Sequence, residues 1–230
     1  MAKSSKNVSN SSSKFVFWII GLVAVFIIGF IFLGNHSKTD MKPKGTIDYS
    51  NQPFLGSKSA PVSIIEFGDY KCPNCKNFAA NVIPVIKQEL VDTGKAKLYF
   101  MNDSFIATDS VRSAKFAESV YQELGNKTFW KFHDLLYKKQ PVGEQYEKMD
   151  VEDEKFLTSI LNEVAPKADV EKVVKNFEEK KSDAAWKKDM NLADKLNVSG
   201  TPTIFVDGKL FNGKTLNDLE KLVEKSAKGK

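Results

Sequence analysis

Glu66-Phe67-Gly68-Asp69-Tyr70-Lys71-Cys72-Pro73-Asn74-Cys75-Lys76 joins the end of one regular element to the start of the next, and the chain's only two cysteines lie in that junction. Upstream, Val62-Ser63-Ile64-Ile65-Glu66-Phe67 is a short β-rich apolar run, entered from Ala60-Pro61 and closed by Gly68-Asp69, which predicts a buried strand. Downstream, Pro73 suits a first helical turn, and Phe78, Val82, Val85, Ile86 and Leu90 recur at helical spacing until Asp92-Thr93-Gly94. Pro84 predicts a kink in that helix. Lys97-Leu98-Tyr99-Phe100-Met101 is a second run of strand length, so residues 62–101 predict a strand, helix, strand unit with a right-handed crossover.

Working outward, the periodicity is helical almost throughout 108–197. Val111, Ala114, Ala117, Val120, Tyr121 and Leu124 share one face before Gly125, and Phe129, Trp130, His133, Leu136 and Tyr137 share the next. Gly200-Thr201-Pro202 then introduces the strand Thr203-Ile204-Phe205-Val206. Asp207-Gly208 is a strong hairpin turn, Lys209-Leu210-Phe211 returns, and Thr215 can cap a final helix through Leu216, Leu219, Leu222 and Val223. The expected class is α/β: residues 46–107 and 198–230 form one mixed sheet with its helices, interrupted by a helical insertion at 108–197.

Phe15–Leu33 runs for nineteen residues without a charge, close to the roughly 20 that a membrane-spanning helix needs. It exceeds the roughly 7–15 residues of a signal-peptide apolar region, and no small-residue cleavage pattern follows, so an uncleaved anchor is expected rather than a removed leader. Lys3, Lys6 and Lys14 precede the span and favour a cytoplasmic N-terminus. Residues 1–14 then form a cytoplasmic tail and 34–45 a polar stalk, with membrane lipid as the partner of 15–33. The bulk of the chain lies outside the membrane on this reading.

The formal charge of +5 comes largely from that N-terminus, because the first 34 residues hold three lysines and no acid, leaving 31 bases against 29 acids. Such a balance does not make a phosphate-binding surface, and no nucleic-acid partner is expected.

Cys72 and Cys75 are three residues apart at a helix start, where the first thiolate would face unpaired backbone N–H groups and the positive end of the helix dipole. That placement lowers its pKa, and Lys71 and Lys76 are expected to add to the field. Cys72 is then the exposed attacking or attacked sulfur and Cys75 the shielded internal partner of a thiol–disulfide exchange. A purely stabilising disulfide is the alternative, although so short a loop constrains an unfolded chain little. Zinc is another, but closed sites usually take four ligands and only His36 and His133 add nitrogen. Neither a metal nor another cofactor is expected; the Cys72–Cys75 disulfide carries the redox chemistry.

The stretches Glu66–Cys75 and Val198-Ser199-Gly200-Thr201-Pro202-Thr203-Ile204-Phe205-Val206-Asp207-Gly208, with Phe129-Trp130-Lys131-Phe132-His133-Asp134-Leu135-Leu136, resemble the DsbA-like branch of the thioredoxin superfamily, particularly the membrane-anchored extracytoplasmic oxidases of Gram-positive bacteria. The resemblance covers about residues 46–226. It implies a thioredoxin fold with a helical insertion, and an enzyme that introduces disulfide bonds into unfolded or exported cysteine-containing proteins. A separate membrane quinone reductase of the DsbB/BdbC type would reoxidise it.

The resemblance also implies that Pro202 is the family's cis-proline, facing the cysteine pair while Thr201 pairs with bound peptide. Glu66 matches the family's buried acid near the inner cysteine, where a desolvated carboxyl can exchange a proton with Cys75. Its other reading is a strand-end acid facing solvent. In the active-site loop, Pro73 keeps the pattern and Asn74 departs from it, since strongly oxidising relatives often place His there and Asn carries no positive charge. A reductase or isomerase on the same fold therefore stays open, as does a non-enzymatic, membrane-tethered peptide-binding chaperone.

Overall fold

Five strands form one sheet in the order β1-β3-β2-β4-β5: β1 (Phe54–Leu55), β2 (Val62–Gly68), β3 (Ala96–Asn102), β4 (Thr203–Val206) and β5 (Lys209–Leu210). The computed structural model describes residues 47–229. β2 runs parallel to β3 and antiparallel to β4, while β1 and β5 add antiparallel edges. β2 is central and all seven of its residues are buried, which is why its sequence reads as a continuous apolar run rather than an alternating one.

Alternation along β2 divides the core. Val62 and Ile64 pack with Ile83, Ile86, Leu90, Leu219 and Val223 on one face, and Ile65 and Phe67 pack with Tyr99, Met101, Ala193, Leu196 and Phe205 on the other. Glu66 and Gly68 share the parity of Val62 and Ile64, so they point to the face covered by the helix that starts at the cysteines.

That helix, α1 (Pro73–Asn81), opens with Pro73 in its first turn and Cys72 as its extended N-cap. It ends at Val82, and the short helix α2 (Ile83–Ile86) restarts with Pro84 in its own first turn before a π turn over Lys87–Val91. The expected kink thus falls at Val82, whose φ of −104° and ψ of −45° stay in the helical region while its N–H bonds the Phe78 carbonyl, with Pro84 in the first turn that follows.

The insertion contains α3 (Thr108–Lys139), α4 (Glu144–Glu147), α5 (Glu154–Leu161), α6 (Lys167–Glu178) and α7 (Asp183–Lys195), and α8 (Leu216–Lys228) closes the chain. α3 is interrupted at Gly125, whose φ of 73° and ψ of −175° are non-helical, a conformation that favours glycine. The break places the Asn126 amide against β1: its oxygen accepts from the Phe54 N–H at 2.8 Å and its nitrogen donates to the Phe54 carbonyl at 2.6 Å. The Asp207-Gly208 hairpin adopts positive φ at both residues, 46° and 76°, as a type I′ turn requires. Thr215 caps α8 in a reciprocal box with Asp218.

No helix among the described residues is long and apolar enough to cross a membrane. The expected anchor at 15–33, with its flanking tail and stalk to residue 45, lies outside the described residues.

Candidate active site

Three backbone constraints hold the Cys72–Cys75 segment. The Asp69 carbonyl accepts from the Cys72 N–H at 3.0 Å, and the Lys76 N–H closes the first helical turn on the Cys72 carbonyl at 3.1 Å. The Asp69 carboxylate then ties this turn to the loop after β3, accepting from the Lys71 N–H on one oxygen and from the Phe105 and Ile106 N–H groups on the other. Burial raises the Asp69 pKa, while these donors pull it back.

Both cysteines are free thiols. Cys75 is fully buried and Cys72 retains 5% of its exposure, so the nucleophile expected to be open to solvent is largely covered. The cover is the Thr201-Pro202 loop: the Cys72 thiol donates to the Thr201 carbonyl at 3.3 Å, and the Thr201–Pro202 peptide bond is cis. The sequence resemblance anticipated that isomer.

Electrostatics separate the two sulfurs. Cys72 is lowered to about 6, first by the hydrogen bond from the Cys75 thiol, with burial opposing and with the Cys75 and Asn74 N–H groups adding donors. Cys75 is raised well above the ordinary thiol range by burial, by its bond to Cys72 and by the neighbouring Glu66 charge. At neutral pH Cys72 is therefore the thiolate and Cys75 the thiol, the division that nucleophilic attack and internal resolution require.

A stability consequence follows from linkage. A thiol lowered on folding adds stability that is complete above its unfolded value of about 8.5 and is lost as pH falls through about 6. The oxidised protein lacks this contribution. Between about pH 8.5 and about pH 6 the thermal midpoint of the reduced protein is expected to fall relative to that of the oxidised one, and a pH-independent difference would contradict the assignment.

Glu66 is fully buried, so the solvent-facing reading is overturned. Desolvation, then the charges at Cys72 and Asp134, raises its pKa to about 8. Neither carboxyl oxygen has a hydrogen-bond partner among the described residues. A neutral carboxylic acid beside a buried thiol can give and take a proton near neutral pH.

The expected lysine field is absent. Lys71 is buried and its ammonium lies 3.0 Å from the Asp109 carboxylate, while donating to the Tyr146 and Met149 carbonyls at 2.8 and 3.1 Å. Lys76 turns to the end of α3 and donates to the Gln140 carbonyl at 2.5 Å. Both cations are committed elsewhere, and the fall at Cys72 rests on neutral donors. The two lysines instead wall a cavity of about 300 Å³ beside Pro73, with Ala80, Val142 and Tyr146. Asn74, exposed, lies beyond the sulfurs and adds its backbone N–H.

His133 is buried against Tyr70, Phe100 and Trp130, with Nδ1 3.0 Å from the Tyr70 hydroxyl, and burial lowers its pKa to about 3. It is a satisfied core residue. Among the described residues no group of three or more His, Cys, Asp and Glu can hold a metal ion. One pair of buried acids, Glu118 with Asp189, is taken up by Asn102 and Gln52, which fasten α7 to β3 and to the segment before β1.

A sheet of this order, a cysteine pair on the first helical turn and a cis-proline opposite it define a thioredoxin-fold thiol–disulfide oxidoreductase. A family model described as Thioredoxin matches residues 48–225, and the chain belongs to that family, in its DsbA-like branch. It is 38% identical over 194 residues to the probable disulfide bond formation protein D of Bacillus anthracis, covering 82% of this chain and 85% of the relative. With disulfide bond formation protein D of Bacillus subtilis it shares 34% over 190 residues, 81% of this chain and 82% of the relative. The oxidised crystal structure of Bacillus subtilis BdbD superposes with a TM-score of 0.72 at 32% identity, covering 80% of this chain and 97% of that one. Chlamydia trachomatis DsbA, at 22% identity and a TM-score of 0.64 over 83% of this chain and 96% of that one, shares the fold. The protein is a thiol–disulfide oxidoreductase.

Proposed function

We propose that this protein donates disulfide bonds to unfolded, exported cysteine-containing proteins from the outer face of the cell membrane, held there by 15–33. Residues 46–107 and 198–230 act as the catalytic domain and 108–197 as the insertion that covers it. Cys72 is the exchanging sulfur, Cys75 its internal partner and Glu66 the proton-holding acid. Pro73 and Asn74 shape the loop, while Thr201 and Pro202 present backbone to the substrate. The observation that carries this reading is the opposed behaviour of the two sulfurs, Cys72 lowered and Cys75 raised.

In the forward reaction a substrate thiolate attacks Cys72 of the Cys72–Cys75 disulfide, and Cys75 leaves as a thiolate that takes the proton of Glu66. A second substrate thiolate then attacks the substrate sulfur of the mixed disulfide and expels Cys72, whose low pKa makes it a good leaving group. Two electrons pass from substrate to the cysteine pair. A membrane quinone reductase of the DsbB/BdbC type would take them onward. The oxidised full chain, mixed with one equivalent of a reduced dithiol peptide, is expected to yield the peptide disulfide and two protein thiols. Peptide binding without electron transfer would instead favour the tethered chaperone. Asn74, which supplies no side-chain charge, is the feature on the side of a reductase.

A further inference from the structure

Glu66 does not face the cysteines alone. Gly68, two residues further along β2 and on the same face, approaches α3 so closely that an added Cβ would lie 2.6 Å from the Phe100 ring and 3.0 Å from the Tyr137 hydroxyl. The Tyr137 hydroxyl is therefore lodged against β2 about one i,i+2 step, roughly 7 Å, from the root of the Glu66 side chain. Tyr137 is 2% exposed, and its hydroxyl has no hydrogen-bond partner among the described residues. Three buried oxygens, two on Glu66 and one on Tyr137, thus lie unpaired, where such a group is costly, and the Glu66 charge acts on the Tyr137 phenol. Around the Tyr137 hydroxyl stand Phe100 from β3 and Tyr70, whose own hydroxyl faces His133.

We infer that Tyr137 is a positioning residue for the exchange reaction, its hydroxyl donating to the Glu66 carboxyl, directly or through one water, whenever Glu66 is ionised. The inference rests on the oxidoreductase reading and adds a residue to it. When Cys75 leaves and takes the Glu66 proton, a carboxylate appears in an apolar interior. The Tyr137 O–H then turns to supply its hydrogen bond, and releases it when Cys75 returns the proton. The other titratable groups around Glu66 are Cys72 and Cys75 from α1, Asp134 from α3, and Tyr70 and Asp69 from the loop after β2. None of these is an O–H donor free of another partner.

Tyr137→Phe removes the oxygen and keeps the ring. The test follows the protonated-carboxyl stretch of Glu66 by infrared spectroscopy against pH in the full chain, with Glu66→Gln identifying the band. Loss of the donor is expected to move the Glu66 midpoint upward by about one pH unit, tenfold in the ionisation equilibrium, and to move the pH profile of peptide oxidation with it. Tyr137→Trp, which restores a donor on a bulkier ring, serves as a second variant if the phenylalanine chain does not fold. An unmoved midpoint in a folded variant, or a wild-type Glu66 that does not titrate, overturns the inference. Failure of the wild-type chain to oxidise the peptide at any pH would instead sink the oxidoreductase reading.

Discussion

Cys72→Ser is expected to reduce peptide oxidation to the uncatalysed rate, while Cys75→Ser, offered a peptide that already carries a disulfide, accumulates a mixed disulfide as the Cys72 thiolate attacks one peptide sulfur and the other leaves as a thiolate. The two outcomes differ because the two sulfurs differ. Cys72, lowered to about 6, is more than nine-tenths thiolate at pH 7, whereas a serine hydroxyl has no comparable ionised fraction and no bond to sulfur to exchange. Cys75 is buried and held as the thiol, so its loss leaves the Cys72 thiolate able to attack a disulfide but removes both the disulfide that a substrate dithiol would reduce and the internal resolving step. Cys75→Ala adds a quantitative check. The Cys75 thiol is the largest influence lowering Cys72, and without it the Cys72 midpoint is expected to rise toward the unperturbed value of about 8.5. At that limit the thiolate fraction at pH 7 falls about thirtyfold. Thiolate absorbance and alkylation rate both report it; an unmoved midpoint would return the fall to the helix N-terminus alone.

The second large effect is on stability. Lys71→Met strips the paired ammonium from the Asp109 carboxylate, in a pair whose side chains are 1% and 0% exposed. Asp109 would keep the Val151 and Glu152 N–H donors at 2.9 and 3.1 Å, but its charge would be uncompensated in the interior. Removing one partner of a buried pair typically costs about 3–5 kcal/mol, so a fall of about 10 °C in the thermal midpoint is expected for a domain of this size. Because the Lys71 ammonium also holds the Tyr146 and Met149 carbonyls, the 146–149 segment should gain hydrogen-exchange rate before the sheet does. Lys71→Met with Asp109→Asn is expected to recover most of the loss, since the asparagine carries no charge and keeps an oxygen for the Val151 and Glu152 N–H groups. A single-variant cost below about 1 kcal/mol, the scale of a surface pair, would contradict the burial argument.

Local signals made much of this molecule readable. β2 and α1 follow from an apolar run meeting Pro73 at a helix start, the hairpin from Asp207-Gly208, and the α8 cap from Thr215. Cys72 and Cys75 stand out through spacing, and Pro202 and Thr201 through resemblance rather than through any local rule. What escaped the sequence is long-range. β1 is a two-residue edge whose backbone is held by Asn126, and no pattern of two residues announces a strand. Lys71 and Lys76 looked like free charges beside the sulfurs. Their partners, Asp109 and the Gln140 carbonyl, lie on distant segments that only the fold brings near. Cys72 looked exposed because a helix N-terminus is usually open, yet the loop carrying Thr201 closes over it. Tyr137 read as one more apolar position on a helical stripe; the signal that singles it out is Gly68, whose missing side chain leaves room for the phenol against β2.

The equilibrium reduction potential of the Cys72–Cys75 pair in the full chain, measured against glutathione, tests the central claim most directly. A thiolate held at Cys72 stabilises the reduced form, and with that thiol lowered to about 6 the expected potential lies above the roughly −270 mV of thioredoxin, toward the roughly −120 mV of DsbA. A value near the roughly −270 mV of thioredoxin would contradict disulfide donation and make the protein a reductase.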